Sequence, residues 1–258
     1  MSLPGCIALT AGDGVGRLVL NRPEKRNAIS SAMWHALPLA VARLASDPAV
    51  HVVVLEGAAG QFAAGADITE FPDAYGTRQQ ATAYAALLAA AMDALAACRK
   101  PTLAAISGAC VGAGVALALC CDMRFAASDA YFAVTPAKLG IAYSFTDTQR
   151  LVACIGASAA RDMLFSARRV DAWEAQRLRL VDRVFAADKI TAGTLAYARG
   201  LAGMSQESIR VARDFIARAA AGQRDENDAT RRAYLDVLET PDFAVGLRAF
   251  LEKRAPRF

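Results

Sequence analysis

The sequence predicts an α/β protein, with a mostly parallel sheet covered by helices and an all-helical stretch at the end. Three observations carry this. Apolar runs of strand length alternate with segments of helical period along the first three quarters of the chain. VHVVVLEG (50–57) is continuously apolar up to Gly57, as suits a strand covered on both faces. From Asp188 onward almost everything keeps a helical period. The division expected is a core over 1–190 and a helical region over 191–258.

In order, GRLVLNRP (16–23) is a strand closed by a turn at Pro23, and GDGVGR (12–17) is a hairpin or turn before it. Ser30 or Ser31 caps a helix whose apolar face includes Met33, Leu37, Val41 and Leu44. Strand 50–57 follows, then a long helix over 77–98 on which Tyr84, Leu87, Leu88, Ala91, Met92 and Leu95 keep the period until Pro101 stops it. LAAIS (103–107) is the next strand, and a glycine turn leads into helix 112–121. DMRFAASD (122–129) and AYFAVTP (130–136) are strand or turn material. Helices are expected over 145–155, 158–165 and 171–177, a strand over 181–187, and helices over 188–202, 205–220, 224–238 and 241–252. Phe243, Leu247, Phe250 and Leu251 share a face that needs a partner, either the core or another subunit.

A chain of 258 residues can bury about three quarters of its extended surface, and 55% hydrophobic content excludes disorder. The opening MSLPGCIALTAGDG lacks a basic segment followed by an apolar core, so no secretory signal is expected. The uncharged stretch 102–121 is long enough to span a bilayer, but three glycines interrupt it and Asp122 ends it, so we read a buried strand, turn and helix. The six cysteines form no CxxC and sit mostly in apolar runs, which fits a reducing, cytoplasmic setting. A net charge of +4 assigns no partner by itself.

His35 and His51 have no metal-ligand spacing, and no metal is expected. GDGVGR has the wrong spacing for GxGxxG, and GAGVAL lacks the Lys-Ser/Thr of a P-loop. Arg161, Arg168 and Arg169 make a basic patch without an aromatic platform, so nucleic acid is not expected.

Two stretches stand apart. FAAGADITE (62–70) places three small residues after a strand, and SGACVGAG (107–114) does the same before a buried helix. Small residues let a ligand approach the main chain, and the first N–H groups of a helix lack partners. Two such turns after neighbouring strands can aim two N–H groups at one oxygen, making an oxyanion hole. Tight turns with close helix packing would give the same pattern.

AAGADITEF and SGACVGAGVALALCCDMRFAASDAYF resemble the two fingerprints of the enoyl-CoA hydratase/isomerase (crotonase) superfamily. NRPEKRNAIS, KLGIAYSFTDTQRL, LFSARRVDAWEAQRLRLVDRV and FLEKRAPRF match in the expected order, so the resemblance spans essentially the whole chain. It implies a crotonase β-β-α spiral followed by a helical C-terminal oligomerisation region, a homotrimer or a hexamer made of two trimers, and a role in fatty acid metabolism. It implies an acyl-CoA substrate, with coenzyme A as part of the thioester and no separate cofactor. The N–H groups of Ala66 and Ala113 would hold the thioester oxygen. The main chain around Ala64, Ala66, Asp67 and Ile68 would meet coenzyme A, Lys25 and Arg26 would face its phosphates, and Lys253 would act on a neighbouring subunit's ligand.

The departures bear on the reaction. The two glutamates of a typical hydratase fall on Ala116 and Pro136, and a later aspartate used by some relatives falls on Ser144. Ordinary hydratase activity is therefore not expected. TPAKLGIAYS (135–144) and the end of the chain are similar to methylmalonyl-CoA decarboxylase-like members, which makes decarboxylation or a related lyase reaction the favoured expectation, with Tyr143 orienting the substrate carboxylate and Thr135 assisting. The alternatives are an enoyl-CoA isomerase using Asp147, Glu70 or a bound water, and a noncatalytic coenzyme A-binding or assembly protein. Asp147 is expected in a first helical turn, Glu70 looking toward the acyl pocket, and Asp67 organising its turn.

Overall fold

The computed structural model describes residues 2–3 and 6–258; residues 1, 4 and 5, within the segment read for a secretory signal, lie outside the described residues. A short strand β1 (Ser2–Leu3) pairs with the hairpin of β2 (Ile7–Gly12) and β3 (Val15–Leu20). Asp13 and Gly14 form its tip with φ of 53° and 75°, matching the right-handed twist of the strands they join. The hairpin's first strand, Ile7–Gly12, was not expected from the sequence.

Helix α1 (Ser31–Ser46) begins where the Ser30 side chain accepts the Met33 N–H, and it buries the expected Met33, Leu37, Val41 and Leu44 together with Trp34. Then come β4 (Val52–Gly57), α2 (Phe71–Ala74), α3 (Arg78–Ala96), β5 (Thr102–Ile106), β6 (Ala109–Val111), α4 (Ala113–Leu119), β7 (Met123–Ala127) and β8 (Tyr131–Ala133). Next are α5 (Pro136–Leu139), α6 (Phe145–Ser166), β9 (Val170–Asp171), α7 (Ala172–Arg177), β10 (Arg183–Phe185) and α8 (Ile190–Ala202). The chain ends with α9 (Gln206–Ala220), α10 (Asp228–Leu238) and α11 (Pro241–Leu251). The two helices expected over 145–165 are the halves of α6, separated by the non-helical, positive-φ backbone of Gly156 (φ 77°, ψ 159°).

The main sheet runs β1-β2-β3-β4-β5-β7-β10, parallel from β3 onward. A second sheet, β6-β8-β9, was not expected, because three-residue strands carry no readable period. The two sheets explain the winding. After β5 the chain adds β6 to the small sheet and then α4. After β7 it adds β8 and then α5 and α6. One turn earlier, Ala63 bridges Cys110 of β6, so β4, the stretch around Ala63 and α3 repeat the unit. This is a β-β-α spiral. β4 and β5 are buried along their length, consistent with cover on both faces.

Helix α8 packs on β3, β4, β5, β7 and β10 and buries Ile190, Thr194 and Ala198. The division expected at 190/191 therefore cuts the first residue from a helix of the core; the outlying helices are α9, α10 and α11. Phe243, Leu247, Phe250 and Leu251 on α11 are exposed, as are Tyr234, Leu235 and Leu238 on α10. Among the described residues no helix is long and apolar enough to cross a membrane.

Close approach of α4 to the stretch around Ala63 requires glycine at 114, where a Cβ would lie 2.7 Å from the Ala63 carbonyl oxygen. Gly114→Ala is expected to cost about 1–3 kcal/mol through overpacking against backbone. The check is a lowered urea midpoint at unchanged slope.

Candidate active site

The stretch 62–67 lies between two neighbours. On one edge the Ala63 N–H donates to Ala109 O at 2.9 Å and Val111 N–H donates to Ala63 O at 3.0 Å. On the other, Ile29 N–H donates to Gly65 O at 2.8 Å and Asp67 N–H to Ile29 O at 3.0 Å. The Arg26 carbonyl accepts the Ala64 N–H at 3.0 Å. The Ala66 N–H is left without a protein acceptor among the described residues, and so is the Ala113 N–H at the start of α4. Gly65, at φ +111°, makes the turn; a Cβ there would sit 3.1 Å from Val111 O and 3.9 Å from Ala113 N. The two turns are thus in contact, with a free donor on each.

Both face one cavity of about 540 Å³. Its apolar wall includes Phe71, Tyr75, Leu88, Met92, Leu139 and Ile141, and small residues Ala85 and Ala89 of α3 widen it. Thr135, Pro136, Tyr143, Ser144 and Asp147 also line it, as do Ala64, Ala66, Ile68 and Ala113. The cavity brings together most residues expected at the site. Pro136 begins α5, where its missing N–H costs nothing, and Ala116 is fully buried inside α4.

Asp147 is a buried carboxylate in the first turn of α6. Ser144 caps that helix: its Oγ accepts the Asp147 N–H and donates to Asp147 Oδ2 at 2.6 Å. Arg150, one turn on, places Nη1 3.3 Å from Asp147 Oδ1 and Nη2 2.9 Å from Asp93 Oδ1 of α3. Tyr143 donates its hydroxyl to the Gly112 carbonyl at 3.3 Å, beside the second turn. Burial, and then the charge of Asp147, hold its phenol well above the ordinary tyrosine range, so it stays a donor near neutral pH. Thr135 Oγ1 approaches the same turn, 3.8 Å from where a Cβ on Gly112 would be. The sequence reading missed Asp93 and Arg150. Their signals were spacing: Asp93 adjoins Met92 on the cavity side of α3, and Arg150 is three residues after Asp147.

Five expected residues lie elsewhere. Glu70 does not line the cavity; its Oε2 accepts the Ser31 N–H at 2.8 Å and the Ser31 hydroxyl at 2.7 Å, tying the segment after the first turn to the start of α1. The expectation that it looks toward the acyl pocket is corrected, because the unsatisfied N-terminus of α1 claims the carboxylate. Lys25 and Arg26 lie on the exposed turn that supports Ala64, and Lys253 is exposed after α11; none lines the cavity. Asp67 sits behind the turn it was expected to organise. Its Oδ1 accepts the Thr69 N–H and hydroxyl at 3.0 and 2.7 Å, and its Oδ2 meets Arg22 Nη1 at 2.5 Å.

Buried cysteines flank the second turn. Cys110 lies in β6, and Cys120 follows α4 with its thiol donating to Ala116 O at 3.3 Å. Burial pushes the Cys110 thiol far up and that of Cys120 up to about 12. Among the described residues no group of three His, Cys, Asp or Glu side chains could hold a metal ion.

The family model for enoyl-CoA hydratase/isomerase matches residues 10–258. A Mycobacterium tuberculosis protein named "Probable enoyl-CoA hydratase echA8" is 37% identical over 95% of this chain and 94% of its own. A peroxisomal Delta(3,5)-Delta(2,4)-dienoyl-CoA isomerase from Arabidopsis thaliana is 30% identical over 95% and 92%. Among solved structures, an enoyl-CoA hydratase/carnithine racemase from Magnetospirillum magneticum superposes with a TM-score of 0.94 at 36% identity, covering 98% of this chain and 95% of that one.

Asp67 supplies a pH test. The Thr69 hydroxyl first, and then Arg22, outweigh burial and lower its carboxyl from 3.8 to about 2. A depressed folded-state value means stabilisation present above the unfolded value and lost as pH falls through the folded one. The carboxylate contributes about 2 kcal/mol. Asp67→Asn is expected to lower the urea midpoint near neutral pH, with the gap to the unaltered protein closing between pH 4 and 2.

Proposed function

The chain belongs to the enoyl-CoA hydratase/isomerase family, and on that premise we propose that it is an acyl-CoA enzyme that moves a double bond by proton transfer through a thioester enolate. The observation that carries this reading is one buried carboxylate, Asp147, in the same cavity as two unpartnered main-chain N–H groups. The thioester oxygen sits between the N–H groups of Ala66 and Ala113. Asp147 takes a proton from C2 of a 3-enoyl thioester. The electron pair moves onto the oxygen, where the waiting donors stabilise it at about 3–4 kcal/mol each. Return of that proton to C4 leaves the double bond between C2 and C3, with no net atom gained or lost. Ser144, hydrogen-bonded to the carboxylate, holds it toward the cavity, and Tyr143 steadies the second turn through Gly112.

Decarboxylation is less well supported by the site. A substrate carboxylate needs a free donor or cation, but Arg150, the cation lining the cavity, is already shared by two carboxylates, and the Tyr143 hydroxyl is engaged. Hydration is the second reading, favoured by the similarity to relatives named as hydratases. It asks for water activation on one side and proton delivery on the other, and Pro136 and Ala116 supply neither. Coenzyme A enters as part of the substrate. The exposed apolar face of α10 and α11 supports a trimer, alone or paired as a hexamer.

Mass spectrometry of 3-hexenoyl-CoA and crotonyl-CoA in heavy-oxygen water, with methylmalonyl-CoA alongside, separates the readings. Conversion to the 2-enoyl thioester without label is expected, with Asp147→Asn lowering kcat by about 10²–10⁴ while thioester binding persists. Label added to crotonyl-CoA would establish hydration instead. Carbon dioxide from methylmalonyl-CoA would establish the lyase, and binding without turnover of any of the three would favour a binding protein.

A further inference from the structure

The cavity carries a charge pattern that the proton-transfer step does not use. Three of its lining side chains are charged: Asp93 from α3, and Asp147 and Arg150 from α6. The turns around Ala66 and Ala113, α2, and the segment from Thr135 to Ser144 add none to the lining. The balance is two carboxylates against one guanidinium. Arg150 lies between them, with Nη1 toward Asp147 and Nη2 toward Asp93, so its donors on that side are taken and it bridges two walls of the cavity. Asp93 is the accessible member, with 67% of its side chain exposed, against 11% for Asp147. The rest of the lining is mostly apolar.

We propose that the Asp93–Arg150–Asp147 chain is a charge filter on the acyl group, and that Asp93 is its specificity-determining residue. The substrates admitted are thioesters of uncharged, apolar acyl chains; thioesters carrying a second carboxylate are rejected. A carboxylated chain would bring a third negative charge to a guanidinium already paired twice. Desolvating that charge without a partner is costly, and like charges set side by side lower affinity further. An apolar chain of the same length meets Phe71, Leu88 and Met92 and loses nothing. Removing the Asp93 charge leaves Arg150 paired once, with the Nη2 edge open to a substrate carboxylate.

This inference rests on the acyl-CoA reading, and its test reads binding alone. Calorimetric titrations would compare pentanoyl-CoA with glutaryl-CoA, which has the same number of acyl carbons and ends in a carboxylate. The expected result is pentanoyl-CoA bound at least about tenfold more tightly by the unaltered protein. In Asp93→Asn the ratio should fall about tenfold through tighter glutaryl-CoA binding, with the change diminishing as salt is raised. Equal affinities in the unaltered protein, or a ratio that Asp93→Asn leaves alone, would overturn the filter. Failure to bind either thioester would overturn the acyl-CoA reading along with it. An intact ratio in a protein that isomerises nothing would overturn only the reaction.

Discussion

The register set at Ala63 governs the rest of the site. One residue gives its N–H to Ala109 and takes the N–H of Val111, fixing the first glycine turn against the second to within one hydrogen-bond spacing. The donors at Ala66 and Ala113 lie three and two residues beyond that ladder, so neither has room to drift. Gly114 lets α4 close on Ala63, and Gly65 lets its own turn close on Val111. A slip of one residue would turn the wrong groups into the cavity. Ile29 and Arg26 hold the opposite edge, so the exposed turn at 23–26 supports the site without lining it.

The two buried aspartates show how neighbours divide labour between identical side chains. Asp67 accepts from the Thr69 N–H and hydroxyl and from Arg22, which satisfies it and ties its turn to a segment forty-five residues earlier. Asp147 also has partners, Ser144 and Arg150, but these line the cavity with it. The first is a structural anchor; the second is presented to whatever occupies the cavity.

Much of this was legible in the sequence because it is local. The two small-residue stretches, the caps at Ser30 and the long helical periods each depend on a few neighbouring residues, and the family resemblance joins them in order. What escaped is nonlocal. β6, β8 and β9 have two or three residues each, too few to show alternation, and exist through pairing across up to forty positions. Glu70 suited a cavity carboxylate in sequence, but the donors it meets belong to Ser31, thirty-nine residues earlier. Asp93 and Arg150 lie fifty-seven positions apart, and nothing on either side of them announces the other. The exposed face of α11 was readable because amphipathicity is local, whereas the packing of α8 onto five strands was not.

The thiols around the second turn have a further chemical consequence. Conjugated thioesters are electrophiles toward soft nucleophiles, and a cysteine attacks them as its thiolate, not as its thiol. Cys110 and Cys120 flank the strand and helix that hold the Ala113 donor, and burial keeps both protonated far above neutral pH. The apolar packing that shapes the turn therefore also protects it from alkylation. The thiols beside a cavity suited to an activated acyl group are thus held in their unreactive, protonated form.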